Sequence, residues 1–401
     1  MNSILENNKT IIGVLFGSIF LKLLLLFIVG IQQFPDSNTY LKIAHKIYEA
    51  HFLFPSDELL DAPITPYFYA FLVFLENYFS NYVFVFGNII IATATIYILF
   101  FIAKSIFNSI KIANIVAIIM AIYPFLNFYS LSILSETLYL FFIYTSFLFL
   151  VRFIKNHNFF DIILFSLIFA LSVLTRFSSL PMYLIILFWS IFVVRSYVSN
   201  IKLLMYTLAS IFVFTLTMLP WWIRNYNISN EIHLTTLGSS GPIFYLGNNP
   251  NNKSGGGIGG VDADFSKFSH IENEDERYEA MENAAVSWIL NNPYDWFLLE
   301  VEKFKRFFSP VFYAEEYQVW YYNLLSILSY GIMLVLFVPS LFIFKEYFLL
   351  YSPFLLYGLL LVGLHMLLIA SIRYRLPIEP FMIMMSSALI EKYLKNRVDY
   401  D

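Results

Sequence analysis

The feature that most constrains this chain is a series of apolar runs, each long enough to cross a lipid bilayer. The first, from Ile11 to Ile31, carries a single charged residue, Lys22. A helical span needs roughly 20 mainly apolar residues, because the hydrocarbon core is about 30 Å thick and a helix rises about 1.5 Å per residue. Runs that meet this lie near 11–31, 83–103, 111–128, 135–152, 159–175, 180–195, 203–222, 322–344, 347–370 and 376–392. They predict an all-α polytopic membrane protein of about ten transmembrane helices. The first run is too long for a signal-peptide core, and no small-residue cleavage site follows it, so it reads as a retained anchor.

Composition enters as a check on that reading. Hydrophobic residues make up 59% of the chain and charged ones only 13%, against about a quarter charged in soluble domains. A soluble fold could not hide that much apolar surface. The net charge is −4 and no basic stripe appears, which argues against a nucleic-acid partner. Cysteine is absent, which excludes disulfides, thiol nucleophiles and cysteine-based zinc sites. The six histidines show no metal-ligand spacing.

Orientation follows from the Lys and Arg of the short connections. With a cytoplasmic N-terminus, the inner connections hold Lys104 and Lys111, Arg152 and Lys155, Arg195 and Lys202, and Lys345, and the tail holds Lys392, Lys395 and Arg397. Both termini are then cytoplasmic, and no helix is left over. The domain organisation expected is a membrane region over 1–222 with a first outer segment (32–82), an outer module over 223–321, and the last membrane helices with a cytoplasmic tail over 322–401. In the first outer segment, LKIAHKIYEAHFLF has helical apolar spacing and predicts a helix along the membrane interface. The second predicts a strand or extended piece at Ile232–Thr236 and a mobile, turn-rich run GNNPNNKSGGGIGG. Helices follow over Glu272–Leu290 and Tyr294–Phe308.

Charges near span ends need a reason, since they are costly at membrane depth. This topology puts Asp36, Glu136, Arg176, Arg224, Arg373, Arg375 and Glu379 near the same outer interface. Asp36, in FPDSNTY, is a general base or metal-binding carboxylate at the mouth of a cavity, or else a helix cap. Glu136 opens an apolar helix after Ser135, where capping and the helix dipole also favour an acid. Arg373 and Arg375 alternate in SIRYRLPIEP. A guanidinium fork suits bidentate phosphate binding, and it also suits anchoring to lipid headgroups. Lys42 and Arg176 are further candidates. Trp221 and Trp222 read as interfacial aromatics. The run Gly255–Gly260 lacks the strand, Lys-Ser/Thr and helix of a phosphate loop, and reads as a flexible tether.

Taken in order, FPDSNTYLKIA, TPYFYAFLVFL, YPFLNFYSLSILSETLYLF, LTRFSSLP, LPWWIRNYNIS, LTTLGSSGPIFYLGNNP, NNPYDWFLLEVEKFKRFF and RYRLPIEPFM cover most of the chain. In this order and topology the chain resembles the bacterial membrane glycosyltransferases of the GT-C class, the group that includes aminoarabinose transferases and protein O-mannosyltransferases. The resemblance implies a transferase of the bacterial cytoplasmic membrane whose site faces outward. It would pass a hexosyl or pentosyl group, with inversion, from a polyprenyl-phosphate donor to an acceptor hydroxyl.

The resemblance also places the catalytic carboxylate on Asp36 and a second acid on Glu136. Arg373, Arg375 and Arg224 are expected to grip the donor phosphate, with Arg176 and Lys42 as further contacts. Several members carry another acid after Asp36, where this chain has Ser37. No metal site is therefore assigned, although a divalent ion stays open. The donor chemistry agrees with the absence of a nucleotide fingerprint, because a lipid phosphate brings its own leaving group. Two other readings compete: a polymerase or ligase acting on undecaprenyl-linked glycans, and a transporter or flippase, which would show inverted repeats. No repeat is apparent.

Overall fold

A computed structural model of the chain describes residues 9–55, 62–236, 240–257, 261–313 and 318–398. Among these residues the protein is all-helical, with no strand and a single isolated bridge pair, Gln32 with Ser132. This is the polytopic all-α architecture that the apolar runs predict. In chain order, the helices that matter for the site are α1 (Thr10–Val29), α2 (Pro35–Glu49), α3 (Ile64–Ala70), α4 (Glu76–Phe79), α5 (Tyr82–Phe107), α6 (Ile110–Ile122), α7 (Pro124–Ser130) and α8 (Glu136–Asn156). They continue with α9 (Phe159–Val173), α10 (Met182–Val194), α11 (Asn200–Ser229), α12 (Ser240–Gly247), α13 (Glu274–Asn291) and α14 (Pro293–Phe307). Last come α15 (Trp320–Ile343), α16 (Lys345–Leu367), α17 (Ile372–Arg375) and α18 (Glu379–Val398).

Six of these helices (α1, α5, α8, α11, α15 and α16) are long and apolar enough to cross a membrane. The expected span at 111–128 is not one straight helix. It is the pair α6 and α7, bent by 57°. The cause is local: Pro124 sterically disfavours the α region at the residue before it, and Tyr123 is accordingly extended at φ −67, ψ 119. The runs at 159–175 and 180–195 form the shorter helices α9 and α10. The run at 376–392 falls in α18, whose C-terminal end is charged.

Packing sorts the helices by partner. α5 and α8 are buried over most of their length, whereas α1, α11 and α15 bury only about a fifth of theirs. The inner helices therefore build the core and the outer ones present Phe, Leu and Ile to lipid. A helix that is apolar all round is what the bilayer permits. The main cluster joins α5, α6, α8, α9, α10, α16 and α18 through side chains such as Leu99, Val116, Phe147, Phe165, Phe354 and Ile383.

Three expectations for the outer segments are corrected. The apolar face of α2 (Ile43, Ala44 and Ile47) is fully buried against Tyr69, Val83 and Phe84, so it covers protein where a lipid-facing helix was expected. Ile232–Thr236 forms no strand. Its carbonyls are taken by side chains of α11 instead: the Trp221 indole N–H donates to Thr235 O, that of Trp222 to Leu234 O, and the Asn225 amide to His233 O and Thr235 O. The two indoles thus hold a loop, which aromatic anchoring alone does not describe. The described part of the glycine run is packed. Gly255 and Gly256 are buried, and the backbone N–H of Ala370 donates to Gly255 O at 3.0 Å. Residues 258–260 of that run lie outside the described residues.

The predicted helices of the second segment are present as α13 and α14. Asn273 caps α13 by accepting from the N–H groups of Asp275 and Glu276. Pro293 occupies the first turn of α14, where its missing N–H costs nothing. A small core of Tyr245, Ala263, Phe268, Met281 and Ala285 holds α12 and α13 together.

Candidate functional site

Four charged side chains from four separate stretches of sequence meet at one end of the bundle. Arg373 of α17 donates through Nη1 to Asp36 Oδ2 at 2.8 Å. Its Nε donates to Glu136 Oε1. Arg176, in the turn after α9, donates through Nη1 to the same Glu136 oxygen at 2.7 Å. The chain of contacts runs Asp36, Arg373, Glu136, Arg176: two carboxylates and two guanidiniums, summing to zero charge.

The elements explain each placement. Asp36 sits in the first turn of α2, behind Pro35. Capping there is done by its neighbour, because the Phe34 N–H donates to Ser37 Oγ at 3.0 Å and the Ser37 N–H to Phe34 O at 2.9 Å. Ser37 thus satisfies the helix start and leaves the Asp36 carboxylate to Arg373. Glu136 is the first residue of α8, where the helix N-terminus favours a negative charge. The Arg176 guanidinium lies between the rings of Tyr139 and Tyr374, 6.0 Å and 5.8 Å from their centroids. Tyr374 in turn stacks on His365 at 4.4 Å.

Exposure separates the two acids. The Glu136 side chain is 2% exposed and that of Asp36 is 47% exposed. Glu136 Oε2 has no hydrogen-bond partner among the described residues, so the acid is committed to the two arginines through Oε1. Burial disfavours the charge on Arg373, but Glu136 and Asp36 outweigh it and hold its pKa above the ordinary arginine value. Its guanidinium therefore stays charged at any working pH.

Beside this cluster lies a cavity of about 580 Å³. Leu21, Leu25 and Val29 of α1 and Tyr322 and Leu325 of α15 form apolar walls, with Phe125 and Phe128 between them. Its polar lining includes Arg373, Ser371 and Arg306. The Arg306 guanidinium stacks on the Tyr313 ring at 4.7 Å. A largely apolar groove whose lining includes two guanidiniums fits an amphiphile with an anionic head.

Several expected residues lie elsewhere. Arg375 is 1% exposed. It pairs through Nε with Glu379 Oε1 at 2.7 Å, stacks on Tyr330 at 3.4 Å and donates to Ser309 O. It is sealed inside the bundle, with the Phe125 ring 5.4 Å away and that ring forming cavity wall on its other side. Arg224 donates to Pro55 O at 2.8 Å and lies over the rings of Phe54 and Trp221. Lys42 is exposed on α2, roughly 240° around the helix from Asp36. Lys22 is buried in α1, bonded to Ser18, and lines a small void with Thr95, Tyr129 and Thr137.

Arg306 was not singled out by the sequence. The signal was present in LEVEKFKRFF, where the buried positions Leu299, Lys303 and Phe307 recur at helical spacing, but five charges in that stretch made no single one stand out. For a divalent ion, no three His, Asp or Glu side chains come together among the described residues. Both carboxylates of the cluster already face guanidiniums, so the described residues assemble no metal site.

No family model matches the chain, and no curated protein matches it. Solved structures do. The oligosaccharyltransferase of Archaeoglobus fulgidus in its apo form superposes with a TM-score of 0.56 at 11% identity, over 98% of this chain and 52% of that one. The archaeal oligosaccharyltransferase AglB from the same organism, in complex with an inhibitory peptide and a dolichol-phosphate, gives a TM-score of 0.52 at 13% identity, over 90% of this chain and 47% of that one. The chain spans about half the length of these proteins. The likeness extends over nearly the whole chain, and at such identity it shows the fold. The all-α membrane fold expected from the apolar runs is thus shared with these solved structures.

Proposed function

We propose that this protein is a membrane glycosyltransferase that moves a sugar from a polyprenyl-phosphate donor to an acceptor hydroxyl, with Asp36 as general base. The observation that carries this reading is that Arg373 both pairs with the half-exposed Asp36 and lines an apolar cavity. The polyprenyl chain lies along α1 and α15, and its phosphate rests against Arg373 and Arg306.

Transfer with inversion then needs little else. The acceptor oxygen attacks the anomeric carbon, the bond from that carbon to the phosphate oxygen breaks, and the phosphate leaves with the electron pair. Asp36 takes the hydroxyl proton through the oxygen that Arg373 does not hold. A base placed this way is worth roughly 10²–10⁴ in rate. The two guanidiniums stabilise the charge that builds on the departing phosphate. Glu136 touches neither reactant. It holds Arg373 and Arg176 in place, and Arg176 braces it from behind. Arg375, Arg224 and Lys42 take no part in this reading, because their side chains lie away from the cavity.

The positive charges of the short connections support an extracytoplasmic site in a bacterial cytoplasmic membrane. The segment 223–321 then forms an outer module over the site. The test is transfer of labelled sugar from a panel of polyprenyl-phosphate donors by the purified protein in lipid. Products carrying one added sugar support this reading; long glycan products from undecaprenyl-linked donors would replace it with a polymerase.

A further inference from the structure

The last turn of α16 ends without a conventional cap. Leu368 breaks it at φ −105, ψ −113, which leaves carbonyls at the C-terminus without intrahelical partners. Two of them are met by side chains from a distant stretch of sequence. Lys303 of α14 donates through Nζ to Met366 O at 2.8 Å, and the Asn248 amide donates to Leu367 O at 2.8 Å. Lys303 is 0% exposed, and its ammonium is filled by Glu300 Oε1 at 2.7 Å and Asn248 Oδ1 at 3.1 Å. Trp296 donates to the same Asn248 oxygen.

Glycines let the pieces approach. A Cβ on Gly247 would stand 2.0 Å from Leu368 O, and one on Gly255, where φ is +68, would stand 2.8 Å from the Lys303 backbone nitrogen. Asn252 fixes that turn by accepting from the Gly255 N–H at 2.9 Å. Gly255 O then receives the N–H of Ala370, three residues before Arg373. One residue back along the same turn, Ser254 O accepts from Arg306 Nη1 at 3.4 Å. A single packed joint therefore contacts the Arg306 guanidinium and the backbone three residues before Arg373.

We propose that Lys303 and Asn248 are positioning residues, which cap α16 from outside and so fix the segments that present Arg373 and Arg306 to the cavity. This rests on the reading of the cavity as a lipid-phosphate site. The chemistry favours a positioning role over simple packing. Burying an ammonium with its acid is costly, and apolar side chains of similar volume would fill the space at equal or lower cost. What Lys303 adds is direction: three donors aimed at fixed acceptors, one of them the end of the helix that leads to Arg373. A cation at a helix C-terminus is also favoured by the helix dipole.

The test uses the full chain in lipid nanodiscs, with undecaprenyl phosphate as the probe and hydrogen exchange as a second readout. In Lys303→Met, the Kd for undecaprenyl phosphate should rise about tenfold or more, and amide protection should fall within residues 366–374 while the spans stay protected. Asn248→Ala should do the same to a smaller degree, and it is the variant to read if Lys303→Met does not fold. Lys305→Met, an exposed site on the same helix, should change neither readout. A folded Lys303→Met with wild-type affinity and protection would overturn the proposal and leave the proposed function standing. If the wild type binds no undecaprenyl phosphate, the proposed function falls, and the exchange readout alone then decides whether the joint sets this segment.

Discussion

Arg373 and Arg375 stand in the same four-residue helix, and at about 100° per residue they leave it roughly 200° apart. One faces a cavity and the other faces the core. Arg373 is shared between two carboxylates, one of them half exposed, and it lines an open groove. Arg375 is closed in by Glu379, Tyr330 and the carbonyl groups of Phe307 and Ser309. The same residue type in the same motif thus lines a cavity in one place and is built into the core in the other. What separates them is the direction of one short helix, and whether the far side of each side chain is void or protein.

That contrast can be broken by substitution. Arg375→Met alone should destabilise the protein by about 3–5 kcal/mol, because it leaves Glu379 buried without a partner. The double change Arg375→Met with Glu379→Leu should recover most of the loss. Unfolding in detergent measures both. A stable Arg375→Met protein that has lost only transfer would move Arg375 into the site.

Arg373→Lys should behave in the opposite way. It keeps a charge but loses the fork that spans Asp36 and Glu136. Transfer should fall about 100-fold, while the unfolding midpoint stays close to wild type. A smaller effect is expected at Arg306, which lines the cavity and in the proposed function adds one charge beside the phosphate. Arg306→Gln should raise the donor KM about tenfold and leave kcat nearly unchanged, as steady-state kinetics would show.

The sequence carried the fold because a bilayer asks only for length and apolarity, and both are written locally. The neighbourhood of Asp36, Glu136, Arg176 and Arg373 followed from topology, since one rule of charge placement puts the ends of their helices at a common level. Direction was not legible. Nothing in RYRLP says which arginine turns inward. Nor does PWWIRNY say that Arg224 will be spent on Pro55 O. The glycine run failed as a tether for a related reason. Glycine permits a loose chain and a tight backbone contact equally, and only the Lys303 and Ala370 partners decide between them. The α6–α7 bend, by contrast, is legible at Pro124, although the apolar run continues through it.

The smallest predicted effect lies on α2, the helix that carries Asp36. Its His45 contacts Glu76 of α4 through Nε2 at 2.6 Å, with both side chains partly exposed. Burial lowers the His45 pKa, but its bonds to Leu41 O and Glu76 outweigh this and raise it above the ordinary value of 6.5. A raised folded value means that the contact stabilises fully below the unfolded pKa and fades as pH climbs through the folded one. The difference in unfolding midpoint between wild type and His45→Asn should therefore be largest in mild acid and shrink toward alkaline pH. It should stay below about 1 kcal/mol at this exposure.

The central claim is that Asp36, paired with the cavity-lining Arg373, takes the proton of the acceptor. The direct measurement is sugar transfer from a polyprenyl-phosphate donor by wild type and Asp36→Asn, each shown to be folded and to bind undecaprenyl phosphate. The account predicts donor binding retained in the variant and transfer reduced by about 10²–10⁴. Equal transfer by both proteins would contradict it and remove Asp36 from the chemistry.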